Sequence, residues 1–280
     1  MHPRDIYWHG RDRVARARTV RGMPSAPDDN RSRVLITGAG GKLGQVLKAG
    51  LEPEYAVLGL DQTHRPGVDR VGDMRRLDRI WPVFEGVDAV IDLAADPSSE
   101  IPWGRALDNN ARSTINALEA ARLAGVRRVI FASSNHVAGM RFAEEPYASI
   151  LNGDYDGLEP GGFPLIRVDE SFRPDGPYAV CKVFGEVAGR YYSDAFGISV
   201  ICLRLGHVNR ENRPRHPSHW ATLLTHADLV GLVRCCLAAP TNLRYGTYYG
   251  VSANTWRIWD IGDAQDAIGF HPQDDAEQWR

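Results

Sequence analysis

"VLITGAGGKLG", residues 34–44, is the stretch that decides the fold. A β-branched run breaks into glycines at Gly38, Gly41 and Gly44, and a helix-prone stretch follows them. Glycines at this place let the backbone approach a phosphate closely, with the amino terminus of a helix facing it. By itself the same pattern also describes an ordinary turn between a strand and a helix. The rest of the chain decides between these two interpretations.

An acidic residue supports phosphate binding. Asp61 ends the next apolar run, "AVLGLD", 23 residues after Gly38. A carboxylate there accepts hydrogen bonds from the adenosine ribose hydroxyls and repels a 2′-phosphate. The glycines and Asp61 together therefore predict that the chain binds NAD.

The composition is that of an ordinary globular protein. The chain has 280 residues, of which 43% are hydrophobic, and a formal net charge of −2. Near-neutral charge gives no electrostatic footprint for nucleic acid or an anionic membrane. No apolar run approaches the roughly 20 residues that span a bilayer. The four cysteines lack paired CxxC spacing, so neither a disulfide framework nor a zinc site is indicated. We expect a cytoplasmic protein that binds a small molecule and no metal.

The first 30 residues differ from the rest of the chain. They contain six arginines, few apolar residues and no periodicity. We expect residues 1–30 to be a disordered basic tail, with a transit peptide or a basic arm as alternatives. Residues 31–280 are expected to form a single domain. Its NAD-binding core would cover about 31–205, and its substrate lobe mainly 206–280.

Short apolar runs alternate with longer helical stretches after the tail. Strands are predicted at 33–37, 56–60, 89–93, 128–133, 199–204 and 246–249, and helices at 42–50, 74–84, 104–124, 178–196 and 226–238. Continuous apolar strands are typical of a parallel sheet covered on both faces. The predicted fold is therefore α/β, a Rossmann-type doubly wound parallel sheet with a small carboxy-terminal substrate lobe. Two long irregular stretches, 140–176 and 207–220, follow strand ends where such folds bind ligands.

A tyrosine and a lysine carry the predicted chemistry. The stretch "DGPYAVCKVFGE" places Tyr178 and Lys182 four residues apart, on one face of a predicted helix. A free phenol titrates near 10, and an ammonium one turn away favours the phenolate. Such a pair can take a hydroxyl proton while a hydride leaves the same carbon for nicotinamide.

Polar residues end a central strand in "FASSNH". Ser133, Ser134, Asn135 and His136 are therefore expected at the ligand-binding edge of the sheet. A hydroxyl there can donate a hydrogen bond to a reacting oxygen. For Ser133 a turn-forming hydroxyl is an equally good interpretation.

With these motifs, the chain from Arg33 onward resembles the extended short-chain dehydrogenase/reductase superfamily, also described as NAD-dependent epimerases and dehydratases. The resemblance implies that Tyr178, Lys182 and Ser134 are catalytic, and that Lys182 also holds the nicotinamide ribose. The cofactor-binding residues it implies, together with the glycine turn, are Gly38, Gly41, Lys42, Leu43, Gly44, Asp61, Asp73, Met74, Leu93, Ala94, Ala95, Asn109, Ser133, Tyr178 and Lys182. Asp73 would lie beside the adenine.

A narrower resemblance is to uronate dehydrogenases and allied sugar C1 dehydrogenases. It rests on "FASSNHVAG", "YAVCKVFGE", "RLGHVN", "WATLLTHADLV" and "YGVSANTWRIWD". The stretch "ADPSSEIPW" is similar to a haloarchaeal glucose-6-phosphate dehydrogenase branch of this group. The substrate-binding residues implied are Ser98, Ser134, Asn135, His136, His207 and Arg215. Arg215 would hold the carboxylate, with Arg213 as its rival.

Three departures from the pattern concern the substrate. His207 replaces a hydroxyl residue, Pro97 stands where a serine is expected, and the 140–176 stretch is longer than in uronate dehydrogenases. The resemblance implies that the protein oxidises the anomeric hydroxyl of an acidic sugar to a lactone with NAD. We expect a homo-oligomer. One alternative is a sugar or nucleotide-sugar epimerase or dehydratase that retains its NAD. Another is an NAD-sensing regulator without catalysis.

Overall fold

The computed structural model describes residues 30–280, so the predicted tail lies outside the described residues except for Asn30. The described strands are β1 (Arg33–Thr37), β2 (Ala56–Asp61), β3 (Arg70–Val71), β4 (Ala89–Asp92), β5 (Arg128–Ser134), β6 (Ser199–Leu205) and β7 (Tyr245–Gly250). They form one sheet in the order β3-β2-β1-β4-β5-β6-β7, and every neighbouring pair is parallel. The six predicted strands are confirmed to within one residue at each end.

Helices cover both faces of this sheet. The α-helices among residues 30–280 are α1 (Lys42–Leu51), α2 (Leu77–Ile80), α3 (Trp103–Ala106), α4 (Arg112–Ala124), α5 (Tyr147–Asn152), α6 (Pro177–Phe196), α7 (His219–Thr222), α8 (His226–Ala238) and α9 (Gly262–Ile268). Ile36 packs in one hydrophobic cluster with Leu47 of α1 and Leu229 of α8. Its neighbour Leu35 packs in a second cluster with Leu118 of α4, because side chains alternate along a strand. The doubly wound Rossmann-type fold is therefore confirmed. No helix in this part of the chain is long and apolar enough to cross a membrane.

Sequence patterns missed or merged several elements. β3 is two exposed residues long and carries no apolar signal. The predicted helix at 74–84 is α2 followed by a 3-10 turn containing Pro82, which has no N–H to continue an α-helix. The predicted helix at 104–124 is a continuous helical stretch, in which Leu107–Ala111 adopts π geometry between α3 and α4.

The stretch 140–176 is a packed part of the molecule. It contains α5, and its residues Phe142, Ile150 and Phe163 belong to or pack against a third hydrophobic cluster, which includes Trp259 near the carboxyl end of the chain. The amide of Ile166 donates to the Ile258 carbonyl at 2.8 Å. This stretch and the carboxy-terminal residues therefore share one core, which we call the lobe cluster. The predicted domain limits stay a prediction.

The glycine turn between β1 and α1 is tightly constrained. Gly38 has φ of +68°, in the left-handed region that favours glycine. At Gly44, an added Cβ would lie 2.6 Å from the Cα and carbonyl oxygen of Ala39 and from the carbonyl of Gly38. Backbone atoms cannot yield as a flexible side chain can. Gly44 therefore permits the close approach of α1 to the turn.

We expect Gly44→Ala to destabilise the protein by about 1–3 kcal/mol, as overpacking does. Gly231→Ala in α8 is the matched control, because an added Cβ meets nothing within 4 Å there. It should stabilise the protein by about 0.5–1 kcal/mol, since alanine favours a helix interior over glycine. Urea unfolding measures both effects. Equal stability of Gly44→Ala and wild type would contradict the close approach.

Candidate active site

A cleft of about 760 Å³ opens at the carboxyl edge of the sheet, where strand order reverses between β1 and β4. Doubly wound sheets bind ligands at such a reversal. The cleft brings together the predicted site residues Gly38, Gly41, Lys42, Leu43, Gly44, Asp61, Asp73, Met74, Leu93, Ala94, Ala95, Asn109, Ser133, Ser134, Asn135, His136, Tyr178, Lys182 and His207. Ser98 and Arg215 are not among the residues that line it.

The turn end of the cleft fits a dinucleotide. Asp61 accepts hydrogen bonds from the amides of Gly40 at 3.0 Å and Gln62 at 2.7 Å, so its carboxylate is fixed beside the turn. No side chain caps the amino terminus of α1, which begins after Gly41. Its first amides and the helix dipole are therefore available to an anion. An uncapped helix end next to an oriented carboxylate is what a pyrophosphate and an adenosine ribose require.

Two arginines that sequence reasoning did not assign line the same end of the cleft, Arg65 and Arg75. The Asp73 carboxylate accepts from Arg75 Nε at 2.9 Å, and this hydrogen bond lowers the pKa of Asp73 below its usual value. Arg75 also reaches the side-chain oxygen of Asn109 at 3.5 Å. Both arginines come from irregular segments without a motif. In the sequence Arg65 is marked only by its position four residues after Asp61, and Arg75 by no signal.

The loop after β4 depends on Asn110, which sequence reasoning passed over in favour of its neighbour. Asn110 is buried, accepts from the Asp96 amide at 2.7 Å and donates to the Asp96 carbonyl at 3.1 Å. The Asp96 carboxylate pairs with Arg105 at 2.5 Å and accepts from the Ser98 amide at 3.2 Å. Ser98 is itself exposed. Adjacent asparagines in "DNN" gave no means of telling which one faces inward.

Tyr178 and Lys182 lie on the first turns of α6. Lys182 is 4% exposed, and its Nζ donates to the carbonyl of Ala132 at 2.6 Å. The same ammonium lies 4.8 Å from the ring centroid of Phe131 and 5.6 Å from that of Tyr178. A buried cation is therefore held against the face of the phenol ring, at the end of the central strand β5.

The two serines at the end of β5 have different environments. Ser133 Oγ donates to the carboxylate of Glu186 at 2.5 Å, and Glu186 forms a buried ion pair with Arg204 at 2.9 Å. The Ser133 hydroxyl therefore belongs to a buried network, a role different from the turn-forming hydroxyl considered for it. Ser134 Oγ accepts from the amide of His136 at 3.2 Å and keeps its own hydrogen for another partner.

Asn135 presents an unsatisfied acceptor. It lines the cleft and is 8% exposed, yet its side-chain oxygen has no hydrogen-bond partner among the described residues. An unpaired buried polar atom costs roughly 1–3 kcal/mol. The atom is therefore suited to accept a hydrogen bond from a ligand.

The opposite wall carries a pair of stacked histidines. His207 lines the cleft and stacks on His219 with ring centroids 3.8 Å apart. Burial lowers the pKa of His207 and that of His219, the latter to about 4, so both are neutral near pH 7. His219 Nδ1 accepts from the amide of Arg215 at 3.0 Å. The Arg215 side chain is exposed, and its backbone is joined to this wall through His219.

A buried carboxyl group lies beneath the cleft. Asp92 is 2% exposed and accepts from Thr37 Oγ1 at 2.6 Å. The Thr37 hydroxyl also accepts from the amides of Leu93 and Ala94, which line the cleft. Burial raises the pKa of Asp92 to about 6, although the Thr37 hydrogen bond and the charge of Lys182 oppose the shift.

This shift predicts a component of stability that depends on pH. The folded chain binds the Asp92 proton up to about pH 6, while an unfolded aspartate loses it near 3.9. Stability from this group is therefore complete below pH 4, falls as pH rises to about 6, and is constant above. Between pH 4 and pH 7, the free energy of unfolding of Asp92→Asn should rise by on the order of 2 kcal/mol relative to that of the wild type.

Denaturant titrations at several pH values measure this difference. Asp194→Asn, at an exposed ion pair on α6, is the control and should show no comparable change. A stability difference between Asp92→Asn and wild type that stays the same at every pH would contradict the prediction.

Comparisons with known proteins agree with this geometry. The model of the NAD dependent epimerase/dehydratase family matches residues 34–228. The NAD-dependent glucose-6-phosphate dehydrogenase of Haloferax volcanii is 32% identical over 88% of this chain and 95% of its own length. The L-arabinose 1-dehydrogenase (NAD(P)(+)) of the same organism is 30% identical over 88% and 98%. The crystal structure of uronate dehydrogenase from Agrobacterium tumefaciens aligns with a TM-score of 0.74 at 30% identity, covering 89% of this chain and 87% of that one. The predicted resemblance is confirmed.

Proposed function

Because the chain belongs to the NAD dependent epimerase/dehydratase family, we propose that it oxidises the anomeric hydroxyl of an acidic sugar to a lactone. Bound NAD supplies the acceptor for the hydride that leaves the anomeric carbon. One observation carries the proposal: Tyr178, beside the buried ammonium of Lys182, shares a cleft with Ser134 and with the dinucleotide-binding turn. Membership of an NAD-dependent enzyme family is established. The acidic sugar and the oxidation of its anomeric hydroxyl to a lactone are the proposed part.

We call the part of the cleft that carries Tyr178, Ser134 and Asn135 the sugar end. Each of these side chains has a separate proposed role. Tyr178 takes the proton of the anomeric hydroxyl, and the ammonium of Lys182, 5.6 Å from the centroid of the phenol ring, supplies a positive charge beside it. Ser134 donates its free hydroxyl hydrogen to the reacting oxygen. The unpaired oxygen of Asn135 accepts from a hydroxyl of the sugar. These roles leave no cation for an acidic group, so that partner must come from elsewhere.

Arg215 is the proposed partner of the acidic group. Among cations near the sugar end, Lys42 donates to the Val208 carbonyl at 2.7 Å, and Arg105 is paired with Asp96. The Arg215 guanidinium, in contrast, has no ion-pair partner in the described part of the chain. A guanidinium suits a planar carboxylate or a phosphate. We rank a uronate first, a sugar phosphate second and a neutral aldose third.

Two other functions compete with this one. A sugar epimerase or dehydratase would use the same residues but retain its NAD and release no net NADH. An NAD-sensing regulator would bind NAD and turn nothing over. Tyr178, Lys182 and Ser134 lie together in one cleft, and this arrangement favours catalysis over sensing. NADH absorbance over a panel of uronates, sugar phosphates and aldoses separates the dehydrogenase from both alternatives, which form no net NADH. Conversion of a sugar without NADH formation would then indicate the epimerase or dehydratase and not the regulator.

The quaternary state and compartment are also proposals. On α6, Val180, Phe184, Val187 and Tyr191 are exposed at spacings of four, three and four residues, and so form one apolar stripe. Such a stripe supports the predicted homo-oligomer.

All four cysteines are free thiols, which suits the predicted location in the cytoplasm.

Arg215→Ala tests the acidic sugar. We expect its KM for glucuronate to rise about tenfold, a moderate loss because the side chain is exposed. Its KM for glucose should change less than about twofold, since no charge pair is lost. Initial-rate assays of NADH formation measure both constants.

Two companion variants complete this test. Arg213→Ala examines the rival arginine. Arg190→Ala removes an exposed arginine on α6 and is the control, which should leave both KM values unchanged. Equal oxidation of glucose and glucuronate by the wild type would show that the cleft does not select an acidic group.

Tyr178→Phe tests the proton acceptor. The variant should lose about 10²-fold or more of kcat, because phenylalanine cannot take the proton. Its Kd for NAD, measured by calorimetry, should stay close to wild type. Tyr55→Phe, far from the cleft, is the control and should retain full activity. If Tyr178→Phe kept a third of wild-type turnover, another group would have to be the base.

A further inference from the structure

A histidine–carboxylate pair borders the sugar end of the cleft. His136 Nδ1 lies 2.6 Å from Oδ2 of Asp175, with the two side chains 40% and 28% exposed. The His136 ring also meets the Tyr178 ring edge to face, with centroids 6.2 Å apart. Whatever His136 binds in the cleft is therefore next to the group on which Tyr178 acts. Asp175 was not among the site residues predicted from the sequence.

The backbone around this pair is built to hold it. The turn that carries His136 and the segment that carries Asp175 are joined by two hydrogen bonds of 2.9 Å, from Met140 to the Arg173 carbonyl and from Arg173 to the Val137 carbonyl. At Gly139 an added Cβ would lie 2.1 Å from Oδ2 of Asp175. The carboxylate occupies space that any other residue at position 139 would fill.

Hydrogen-bond chemistry then fixes the tautomer of the ring. An ionised carboxylate only accepts hydrogen bonds, so the hydrogen must be on Nδ1 of His136. In the neutral imidazole, Nε2 is left with a lone pair. Nε2 has no hydrogen-bond partner among residues 30–280, and His136 lines the cleft. The ring therefore offers the cleft an acceptor.

We infer that Asp175 is a positioning residue, which holds His136 in the tautomer whose Nε2 accepts a hydrogen bond from the sugar hydroxyl next to the anomeric carbon. The inference rests on the proposed function for its ligand. It narrows the substrate to sugars that carry a free hydroxyl beside the reacting carbon. A substrate that is deoxygenated or O-methylated at that carbon lacks the donor.

Nitrogen NMR of the full-length protein tests the tautomer without any substrate. Ring-¹⁵N-labelled histidine reports which nitrogen carries hydrogen, and His136→Gln identifies the signals of His136. We expect hydrogen on Nδ1 in the wild type and a shift toward Nε2 in Asp175→Ala. Asp175→Asn keeps an acceptor oxygen and should restore the wild-type pattern in part. Asp169→Asn, at an exposed aspartate in the same stretch, is the control and should change nothing.

Kinetics test the consequence for the substrate. With saturating NAD, Asp175→Ala should raise KM about three- to tenfold for the sugar that the wild type oxidises, as loss of one hydrogen bond does. Its kcat should change less than its KM. O-methylation next to the anomeric carbon should raise KM in the wild type but have little further effect in Asp175→Ala.

Each outcome decides a separate point. Hydrogen on Nε2 in the wild type, or equal effects of O-methylation on wild type and Asp175→Ala, would overturn the inference. A wild type that oxidises no sugar would overturn the proposed function instead. The wild-type spectrum needs no variant to fold, so it decides the tautomer in every case.

Discussion

The ammonium of Lys182 must find partners inside the protein, and the arrangement of the active site follows from how it does so. A buried charge without compensation is costly, and Lys182 is almost completely buried. Its compensation is the carbonyl of Ala132, two residues before the end of β5, together with the faces of two aromatic rings. This contact fixes α6 against the central strand. Tyr178 lies one turn earlier on the same helix face. It is thereby brought to the cleft, near Ser134 at the end of β5.

One further turn along, the same helix face is anchored a second time. Glu186 forms its buried ion pair with Arg204 of β6 and accepts from Ser133 of β5. Between these anchors, Gly185 lets the Phe131 ring approach, since an added Cβ would lie 2.3 Å from it. Residues spaced by four therefore lead from the phenol of Tyr178 through the buried cation of Lys182 to the buried anion of Glu186. Breaking such a pair leaves one charge uncompensated, so the chemistry of the cleft and the integrity of the core depend on one helix face.

Much of this organisation can be predicted from the sequence. The features that could not be predicted have physical explanations. The strands of a covered parallel sheet are continuous apolar runs, and the glycine turn, Asp61 and the tyrosine–lysine pair occupy positions set by local geometry. Orientation is a different matter. Whether Ser133 or Ser134 keeps its hydroxyl hydrogen for a ligand depends on a partner distant in sequence, Glu186. In the same way, Asp96 determines which asparagine of "DNN" is buried. The stretch 140–176 looks like an irregular loop because its apolar residues are spaced without a period. Its order comes from packing against residues about a hundred positions later.

The lobe cluster reaches the sugar end of the cleft through a line of aromatic contacts. His136 meets Phe142, Phe142 meets Trp259, and Trp259 stacks on Tyr249, which lies under the guanidinium of Arg204. The wall of the cleft that carries His136 is thus continuous with the core. Substitutions in this wall that change which substrate fits would therefore also remove packing contacts of the core. Exposed positions outside the cluster, such as Arg213, Arg215 and His216 in the stretch 207–220, can be exchanged with a smaller loss of packing.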